Sequence, residues 1–302
     1  MKKLPAKADN QETGFPMPLS DRVTVLGNYI INLFLVTGDK ATALFETGIS
    51  GITDAVISQL EALGAAPDYL ILSHPHSDHA TGLPGLMTRF PDAVVLAAAG
   101  AKEFIAHPKA GPVMLAEDAF MSKGLLHRGI TPGRPPIDTV PDLSDARIVT
   151  DTAVLDLGGV TLEMIPAAGH SPGNIIARVQ DIVFCSDSLG FHFPGRGFWP
   201  LFFTGAKAYL STMTYIQSLA PAIICPAHLG PLKKETASRG IQAAIDATHS
   251  FINRVTRTRL SDHTLFAQLL EESYRDEFTM YTKENIANCN QLLVKRARQF
   301  AA

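Results

Sequence analysis

The sequence has only three cysteines, and no two of them lie close together. Cys185, Cys225 and Cys289 lie far apart and form no C-x-x-C motif. This spacing argues against both a disulfide framework and a thiolate zinc site. We therefore expect a reducing, cytoplasmic environment, in which Cys185 and Cys225 are buried side chains rather than nucleophiles.

Long apolar runs and an excess of charge of one sign are also missing. The lysines of the opening stretch MKKLPAKADNQETGFPMP are not followed by an apolar segment, and no run reaches the roughly 18 apolar residues of a membrane span. We expect neither a signal peptide nor a membrane association.

The charges of the sequence are nearly balanced. Lys and Arg number 26 and Asp and Glu number 29, for a net charge of −3. This balance argues against a nucleic-acid partner.

The composition that remains indicates a folded α/β protein. With 302 residues, 46% of them hydrophobic, the chain can bury a sizeable core. Runs rich in branched and aromatic residues predict strands in both halves, among them NYIINLFLVTG, DYLILSH, DAVVLAAA, VTLEMIPAAGH, DIVFCSD and AIICPAH. Apolar residues at helical spacing predict helices in SGITDAVISQLEALG, near residues 80–90 and in GAKAYLSTMTYIQSLA. This order predicts mixed sheets covered by helices.

The stretch LSHPHSDHATG places three histidines and an aspartate within six consecutive positions, directly after a predicted strand. Three more candidate ligands follow later predicted strands, in AAGHSPG, FCSDSLG and CPAHLGP. The full set is His74, His76, Asp78, His79, His170, Asp187 and His228. Imidazole and carboxylate ligands suit zinc, iron, manganese or cobalt. Because these ligands exceed the four that one tetrahedral ion takes, we predict two ions with Asp187 as the bridge.

The HPHSDH motif, followed by His170, Asp187 and His228, resembles the metallo-β-lactamase superfamily over roughly residues 22–232. The resemblance implies an αββα sandwich of two mixed sheets flanked by helices. It also implies one ion held by His74, His76 and His170, and another held by Asp78, His79 and His228. Two departures from the usual pattern are Ser186, where many relatives have glycine, and ETG at 46–48, where DTG is more usual.

The predicted domain organisation follows from the resemblance and from the helical pattern of the tail. Residues 1–232 form the catalytic domain, with an insertion at about 107–147 that is rich in proline and glycine. Residues 233–302 are predicted to form three amphipathic helices that pack on the same domain as a cap over the metal-bearing edge. This layout resembles that of the quinolone-signal response thioesterase more than that of glyoxalase II.

The segment GFHFPGRGFWPLFF follows the predicted bridging aspartate and is rich in aromatic residues. We expect about half of its aromatic side chains to seal the core and the rest to form an apolar acyl pocket. The candidate substrate-binding residues are Phe191, His192, Arg196 and Trp199, with Arg196 available to a carboxylate or phosphate.

Other histidines and acidic residues receive less specific interpretations. His107, His127, His249 and His263 are interpreted as structural or surface residues. Glu46, Asp156 and Glu163 are all candidates to accept a hydrogen bond from a ligand histidine, and the sequence does not choose among them.

These features predict a metal-dependent hydrolase with two divalent ions, zinc first and iron or manganese as alternatives. A bridging hydroxide would attack the carbonyl of an ester, thioester or lactone with an apolar acyl part. Asp78 and Asp187 are the predicted catalytic residues. Two alternatives stay open: an iron-dependent oxidoreductase of the same fold, and a metal-bearing regulatory binding protein. A homodimer is also left open.

Overall fold

The structure is a computed structural model and describes residues 14–301. Two mixed sheets pack face to face, with helices on both outer faces, which confirms the predicted αββα sandwich. Residues 1–13, on which most of the leader prediction rests, lie outside the described residues. Within residues 14–301, no helix is both long enough and apolar enough to cross a bilayer.

The first sheet has seven strands in chain order. They are β1 (Met17–Pro18), β2 (Val23–Gly27), β3 (Asn32–Thr37), β4 (Thr42–Phe45), β5 (Tyr69–Leu72), β6 (Val94–Ala98) and β7 (Arg147–Val149). The first four strands pair antiparallel, and β4 to β7 pair parallel. Strand β3 is a nearly continuous apolar run because it is central and covered on both faces.

The second sheet has six strands in the order β15-β14-β11-β10-β9-β8. Its strands are β8 (Ala153–Asp156), β9 (Thr161–Pro166), β10 (Ile175–Val179), β11 (Ile182–Phe184), β14 (Ile223–Cys225) and β15 (Leu232–Lys233). Only the β11–β14 pair is parallel. Between the sheets, the rings of Phe34 and Phe184 stack with centroids 4.9 Å apart, within a core made by both inner faces.

A two-stranded hairpin, β12 (Phe191–Phe193) and β13 (Gly197–Trp199), stands apart from both sheets. The sequence pattern did not predict strands in this stretch. The two strands of the hairpin are three residues long, which is too short to show an alternation of apolar and polar residues. Gly195 in the turn and Gly197 at the start of β13 have φ 79° and 87°, a backbone conformation that favours glycine.

Helices cover the outer faces of both sheets. They are α1 (Thr53–Ala62), α2 (Ser77–Ala80), α3 (Leu83–Arg89), α4 (Ala101–Ile105), α5 (Ala110–His127), α6 (Ala206–Ser218), α7 (Glu235–Arg257), α8 (Asp262–Ser273) and α9 (Lys283–Ala301). Short 3₁₀ turns occur at Ser50–Ile52 and Asp276–Met280. Helices α1, α3 and α5 cover the first sheet, and α6 to α9 lie on the side of the second sheet.

The segment predicted as an insertion, residues 107–147, contains the 18-residue helix α5. Met114, Met121 and Leu125 of this helix are buried in the core on the outer side of the first sheet. Asp118 is fully buried and accepts hydrogen bonds from the hydroxyl groups of Ser50 and Thr81. The helix is therefore an integral part of the helical layer, and the proline-rich remainder follows it as a loop.

The tail contains the three predicted helices. The apolar stripe of α7 is buried in the same cluster as α6 and the second sheet, with Ile241, Phe251, Ile252 and Val255 as its buried residues. Ile245 is only partly buried against it. The segment between α8 and α9 reaches further, because the 3₁₀ turn at Asp276–Met280 contacts α5 on the other helical layer. The tail thus touches both halves of the sandwich.

Candidate metal centre

Each predicted ligand lies on a loop or a short helix that directly follows a strand. His74, His76 and the α2 residues Asp78 and His79 follow β5, whereas His170, Asp187 and His228 follow β9, β11 and β14. The first loop comes from one sheet and the other three come from the second. The main-chain N–H of Ile175 donates to the carbonyl of Ser73 at 2.7 Å, which joins the sheets beside the ligands. The site therefore lies at one open edge of the sandwich.

The histidines of the first predicted group converge on one point. His74 Nε2 lies 3.1 Å from His76 Nδ1, and His170 Nε2 lies 3.1 Å and 3.2 Å from these two atoms. Asp187 Oδ2 lies 3.5 Å from His170 Nε2 and 3.9 Å from His74 Nε2. Three nitrogens about 2.0–2.1 Å from a tetrahedral ion would have mutual separations of this size.

The second predicted group converges beside the first. Asp78 Oδ2 lies 3.2 Å from Nε2 of both His79 and His228. Asp187 Oδ2 is 3.6 Å from His79 Nε2, and its other oxygen, Oδ1, is 3.7 Å from His228 Nε2. Asp187 therefore belongs to both groups of ligand atoms, within each of which all the atoms lie within 4.8 Å of one another.

Hydrogen bonds to the opposite ring nitrogen fix the direction of the histidines. Nδ1 of His170 lies 2.7 Å from the carbonyl of Leu201, and Nδ1 of His228 lies 3.0 Å from the carbonyl of Ile30. Nδ1 of His79 lies 2.9 Å from Glu46 Oε2. A proton held on Nδ1 leaves the lone pair of Nε2 free for a metal, as in most protein sites.

Glu46 is the candidate acceptor that the structure places at the site. It is buried, and it also accepts a hydrogen bond from the Ser73 hydroxyl at 2.6 Å. Asp156 instead accepts from the main chain of Gly158 at the far edge of the second sheet. Glu163 is on β9 and pairs with β8 and β10 rather than with a ligand loop. The distance in sequence between Glu46 and His79 explains why the motif alone did not identify this pair.

The two departures from the usual motif both occur where the backbone is unusual. Ser186 has φ 47° and Glu46 has φ 77°, in the left-handed region that favours glycine. The Ser186 hydroxyl lies 3.3 Å from the Ser73 hydroxyl and 3.4 Å from His74 Nδ1. A serine at this position thus adds a polar contact behind a ligand that glycine would not provide.

One glycine sets how closely the His170 loop approaches α6. Gly169 has φ 115°, and a Cβ at this position would lie 2.2 Å from the main-chain nitrogen of Tyr209. No other residue type fits without moving the helix. The glycine in AAGHSPG therefore lets His170 enter the site directly beside the helix.

The protonation states of the site suit a divalent cation. Burial holds the pKa of His74 and His76 below the usual value, that of His76 at about 3, so both rings are neutral. Burial alone would raise the pKa of Asp187, but the adjacent His79 and His228 lower it to about 2. The pKa of Asp78 is likewise well below its usual value, because neighbouring histidines outweigh the effect of burial. The pKa of His79 and that of His228 are raised, because the neighbouring carboxylates outweigh burial, so these two rings would give up a proton on binding an ion. Neutral imidazoles and ionised carboxylates are the forms that bind metal.

The site also has buried polar atoms whose hydrogen-bonding capacity is not used. Nε2 of His79 and Nε2 of His228 are buried and have no aligned hydrogen-bond partner. Buried polar groups of native proteins are nearly always paired. Both atoms lie 3.2 to 3.7 Å from carboxylate oxygens of Asp78 and Asp187, and an ion between them would bind all of these atoms. The residues present therefore fit a divalent ion.

A cavity of about 340 Å³ opens onto the ligands His76, Asp78, His170 and Asp187. Most of its wall is apolar. The apolar lining includes Phe104, Val113, Met114, Phe191, Trp199, Leu201, Phe203, Phe278, Ile286, Leu292 and Leu293. A small, mostly apolar cavity with polar groups at one end is typical of small-molecule sites.

The predicted substrate-binding residues divide into two pairs. Phe191 and Trp199 line the cavity. His192 lies on the hairpin against Phe198, with ring centroids 4.7 Å apart, and is not part of the lining. Arg196 also lies outside it, because its guanidinium pairs with the Asp276 carboxylate at 2.5 Å and donates to the carbonyl of Glu272 at 2.7 Å. The guanidinium is therefore engaged by the tail instead of facing a substrate.

Several residues at the cavity were not identified from the sequence. His107, interpreted as a structural or surface residue, is exposed and lines the cavity. Tyr281, from the tail, donates a hydrogen bond to Asp78 Oδ2 at 2.8 Å. Burial raises the pKa of Tyr281 well above its usual value, so the phenol keeps its proton. No local motif marks Tyr281, since it meets Asp78 across 203 positions of sequence.

The grouping of ligands can be tested with His79→Ala. We expect this variant to lose the ion at the second group and to retain about one equivalent of metal at the first, because the first group does not include His79. Metal content after dialysis is the measurement, and the exposed His249→Ala is the matched control. Equal loss from both groups would contradict the assignment.

Comparisons with known proteins agree with this geometry. Residues 26–228 match the family model described as metallo-beta-lactamase superfamily. A metallo-beta-lactamase fold-containing protein of Sulfurisphaera tokodaii is 30% identical over 166 residues, which are 55% of this chain and 59% of that protein. A hydroxyacylglutathione hydrolase of Photorhabdus laumondii is 27% identical over 173 residues, 57% of this chain and 52% of the relative. The matches thus span little more than half the length of these curated relatives.

Solved structures show the same fold. The crystal structure of an archaeal metallo-beta-lactamase superfamily protein from Sulfolobus tokodaii superposes with a TM-score of 0.57 at 19% identity, covering 90% of this chain and 93% of that one. The inverting sec-alkylsulfatase Pisa1 from Pseudomonas gives a TM-score of 0.64 at 14% identity, covering 93% of this chain and 49% of that one. The family model covers the ligand loops from the first histidine to the last. This chain belongs to the metallo-beta-lactamase superfamily.

Proposed function

We propose that the protein is a metal-dependent hydrolase that cleaves an ester or thioester bond, including a lactone, in a substrate with an apolar acyl part. The observation that supports this most directly is the position of Asp187. Its two carboxylate oxygens face two adjacent ligand groups at the polar end of an apolar cavity. A carboxylate shared in this way suits a two-metal hydrolytic site.

The residues of the site have separate tasks in this proposal. The first ion would be held by His74, His76 and His170, the second by Asp78, His79 and His228, and Asp187 would contact both. When bound, the ions supply an activated water at neutral pH and polarise the substrate carbonyl. Asp78 and Asp187, both ionised, balance the charge of the ions and orient the groups around them.

The walls of the cavity suit an apolar acyl group. Of the aromatic segment after Asp187, Phe191, Trp199 and Phe203 line the cavity, whereas Phe202 is fully buried in the core beneath it. Burying an apolar group against such a wall contributes about 25 cal/mol per Å² of apolar surface. A substrate with a hydrocarbon or aromatic acyl part is therefore favoured over a fully polar one.

A covalent thiol mechanism is disfavoured by the environment of the cysteines. Cys289 lines the cavity, but burial raises the pKa of its thiol to about 12. Cys185 and Cys225 are fully buried, and burial raises the pKa of both. A protonated thiol is a poor nucleophile, and an activated water at the metal ligands is the better candidate.

The identity of the metal, the partners and the cellular location are proposed as well. Zinc is the first candidate metal, with iron or manganese as alternatives, since all accept imidazole and carboxylate ligands. The resemblance in layout to the quinolone-signal response thioesterase, the small-molecule partner without nucleic acid, the cytoplasmic location and the homodimer stay predictions. The ionised carboxylates and apolar cavity support a small substrate more than a macromolecule.

An iron-dependent oxidoreductase is the second candidate. It is favoured by one relative, a coenzyme F420H(2) oxidase of Methanothermobacter marburgensis, which is 29% identical over 171 residues, 53% of this chain but 35% of that protein. The same seven ligands would accept iron. A metal-bearing regulatory protein is the third, and it would keep the ions without turnover.

The experiment that separates these functions combines elemental analysis with a substrate panel. Freshly purified protein is analysed for zinc, iron and manganese and assayed with thioesters, esters, lactones and phosphodiesters of increasing acyl length. We expect two equivalents of metal and faster cleavage of esters or thioesters with apolar acyl groups. Iron with oxygen consumption and no hydrolysis would favour the oxidoreductase, and full metal content without any turnover would favour the regulatory protein.

A further inference from the structure

Tyr281 is the residue of the tail that reaches the metal ligands. It lies between the 3₁₀ turn at Asp276–Met280 and helix α9, in the wall of the cavity. Its ring meets that of Phe278 edge to face, with centroids 5.9 Å apart. Its hydroxyl donates to Asp78 Oδ2 at 2.8 Å. The tail therefore contacts a ligand directly.

The oxygen that accepts this hydrogen bond is also the oxygen that faces the second ligand group. Asp78 Oδ2 lies 3.2 Å from Nε2 of His79 and 3.2 Å from Nε2 of His228. A carboxylate oxygen has two lone-pair positions. With one directed to the phenol, the other is free to face the two histidines, and the hydrogen bond holds the carboxylate in that orientation.

Asp187 has no equivalent contact from the tail among the described residues. The tyrosine beside it, Tyr209, donates at 3.2 Å to its main-chain carbonyl and not to its carboxylate. In the first group, the Leu201 carbonyl orients His170 and the Ser73 hydroxyl contacts His74, and both partners belong to the sandwich. The contribution of the tail is thus specific to the second group.

The position of Tyr281 depends on how the preceding turn is anchored. Arg196 of the hairpin pairs with Asp276 at 2.5 Å, and Arg128 after α5 donates to the Thr279 hydroxyl at 3.0 Å. On the other side of Tyr281, the main-chain N–H of Thr282 donates to Glu117 at 3.1 Å. The hairpin and α5 together therefore fix the segment that supplies the phenol.

We propose that Tyr281 is a positioning residue for Asp78, and that the second ligand group reaches full affinity for a divalent ion only when the segment of residues 276–282 is docked on α5 and the hairpin. Linkage requires the converse as well: an ion bound at the second group stabilises the docked segment to the same extent. The inference rests on the two-ion centre proposed above and adds a coupling between that centre and the C-terminal helices.

The test uses Co²⁺ titrated into the metal-free full-length protein, followed by its visible absorption and by competition with a chelator. Tyr281→Phe keeps the ring and removes the donor. We expect the affinity for the second equivalent to fall about 10- to 100-fold, the usual effect of losing a partner that orients a ligand, with the first equivalent unchanged. A wild-type affinity for both equivalents, or an equal loss of both, would overturn the inference.

Tyr274→Phe is the matched control in the same tail. The Tyr274 hydroxyl donates to the main-chain carbonyl of Tyr281 at 3.3 Å and not to a ligand. Since this variant loses only a long hydrogen bond and keeps both the Arg196–Asp276 ion pair and the Tyr281 hydroxyl, we expect it to bind both equivalents nearly as the wild type does. If it weakened the second equivalent as much as Tyr281→Phe, the effect would belong to the backbone of the segment, and the role assigned to the phenol would be wrong.

A second variant and a second measurement keep the test independent of how well Tyr281→Phe folds. Arg196→Ala removes the ion pair with Asp276, so we expect a smaller loss of affinity for the second equivalent. Hydrogen exchange of residues 276–282 should slow on addition of the second equivalent in the wild type but not in Tyr281→Phe. Exchange that does not respond to Co²⁺ in the wild type would contradict the coupling, and a wild type that binds one equivalent only would overturn the two-ion centre itself.

Discussion

Asp187→Ala is expected to abolish measurable turnover and to lower the metal content toward one ion or none. Asp187 Oδ2 lies 3.5 Å from His170 Nε2 and 3.6 Å from His79 Nε2, so its removal takes a ligand from both groups at once. Loss of a residue that merely orients a ligand costs about 10- to 100-fold in affinity or activity. Loss of the shared ligand should cost more. Elemental analysis and the hydrolysis rate are the measurements.

Asp181→Ala is the matched control for this variant. Asp181 is an exposed aspartate directly before β11, the strand that leads to Asp187, and it does not line the cavity. We expect normal metal content and normal turnover. Asp187→Asn would then separate charge from shape, because it keeps the volume of the side chain but is a weaker ligand. Full metal content together with normal activity in Asp187→Ala would defeat the assignment of a shared ligand.

Removal of the tail after Lys234 is expected to prevent stable folding. The tail buries large apolar side chains in the cluster with α6 and the second sheet. They are Ile241, Phe251, Ile252, Val255, Leu265, Leu269, Leu293 and Val294. Each is worth about 1.5–3 kcal/mol when buried, and a whole domain is stable by only about 5–15 kcal/mol. The truncated chain should therefore be insoluble or lack a cooperative unfolding transition.

Two point variants measure separately what buried and exposed residues of the tail contribute to stability. Phe251 packs edge to face on Trp199 and Phe202, with centroids 5.7 and 5.8 Å apart. Phe251→Ala should lower the free energy of unfolding by about 3–5 kcal/mol. Arg298→Ala breaks an exposed ion pair with Asp262 and should leave the unfolding transition nearly unchanged. A truncated protein that is soluble, unfolds cooperatively and keeps its metal would show instead that the sandwich is complete without its tail.

The fold could be predicted wherever the signal was local. Strands such as β3 and β5 are apolar runs, and the stripe of α7 repeats at helical spacing, so both were predicted from the sequence. The hairpin of β12 and β13 was missed, because its three-residue strands have no measurable period. Helix α5 was obscured by the prolines and glycines around it, although Met114 and Met121 are buried at the spacing of two helical turns.

The residues of the site likewise divide into those that local sequence patterns identify and those that only packing brings together. The sequence by itself determined the ligand types, their order and their placement after strands, because metal chemistry restricts ligands to a few residue types and the HPHSDH motif gathers four of them within six positions. Only the tertiary structure decided that Glu46 and not Asp156 or Glu163 orients His79, that Arg196 pairs with Asp276 rather than facing the cavity, and that Tyr281 meets Asp78. These pairs join side chains 33, 80 and 203 positions apart. Their contacts depend on how the sheets and tail pack and on the direction of each side chain, which no local pattern of residues specifies.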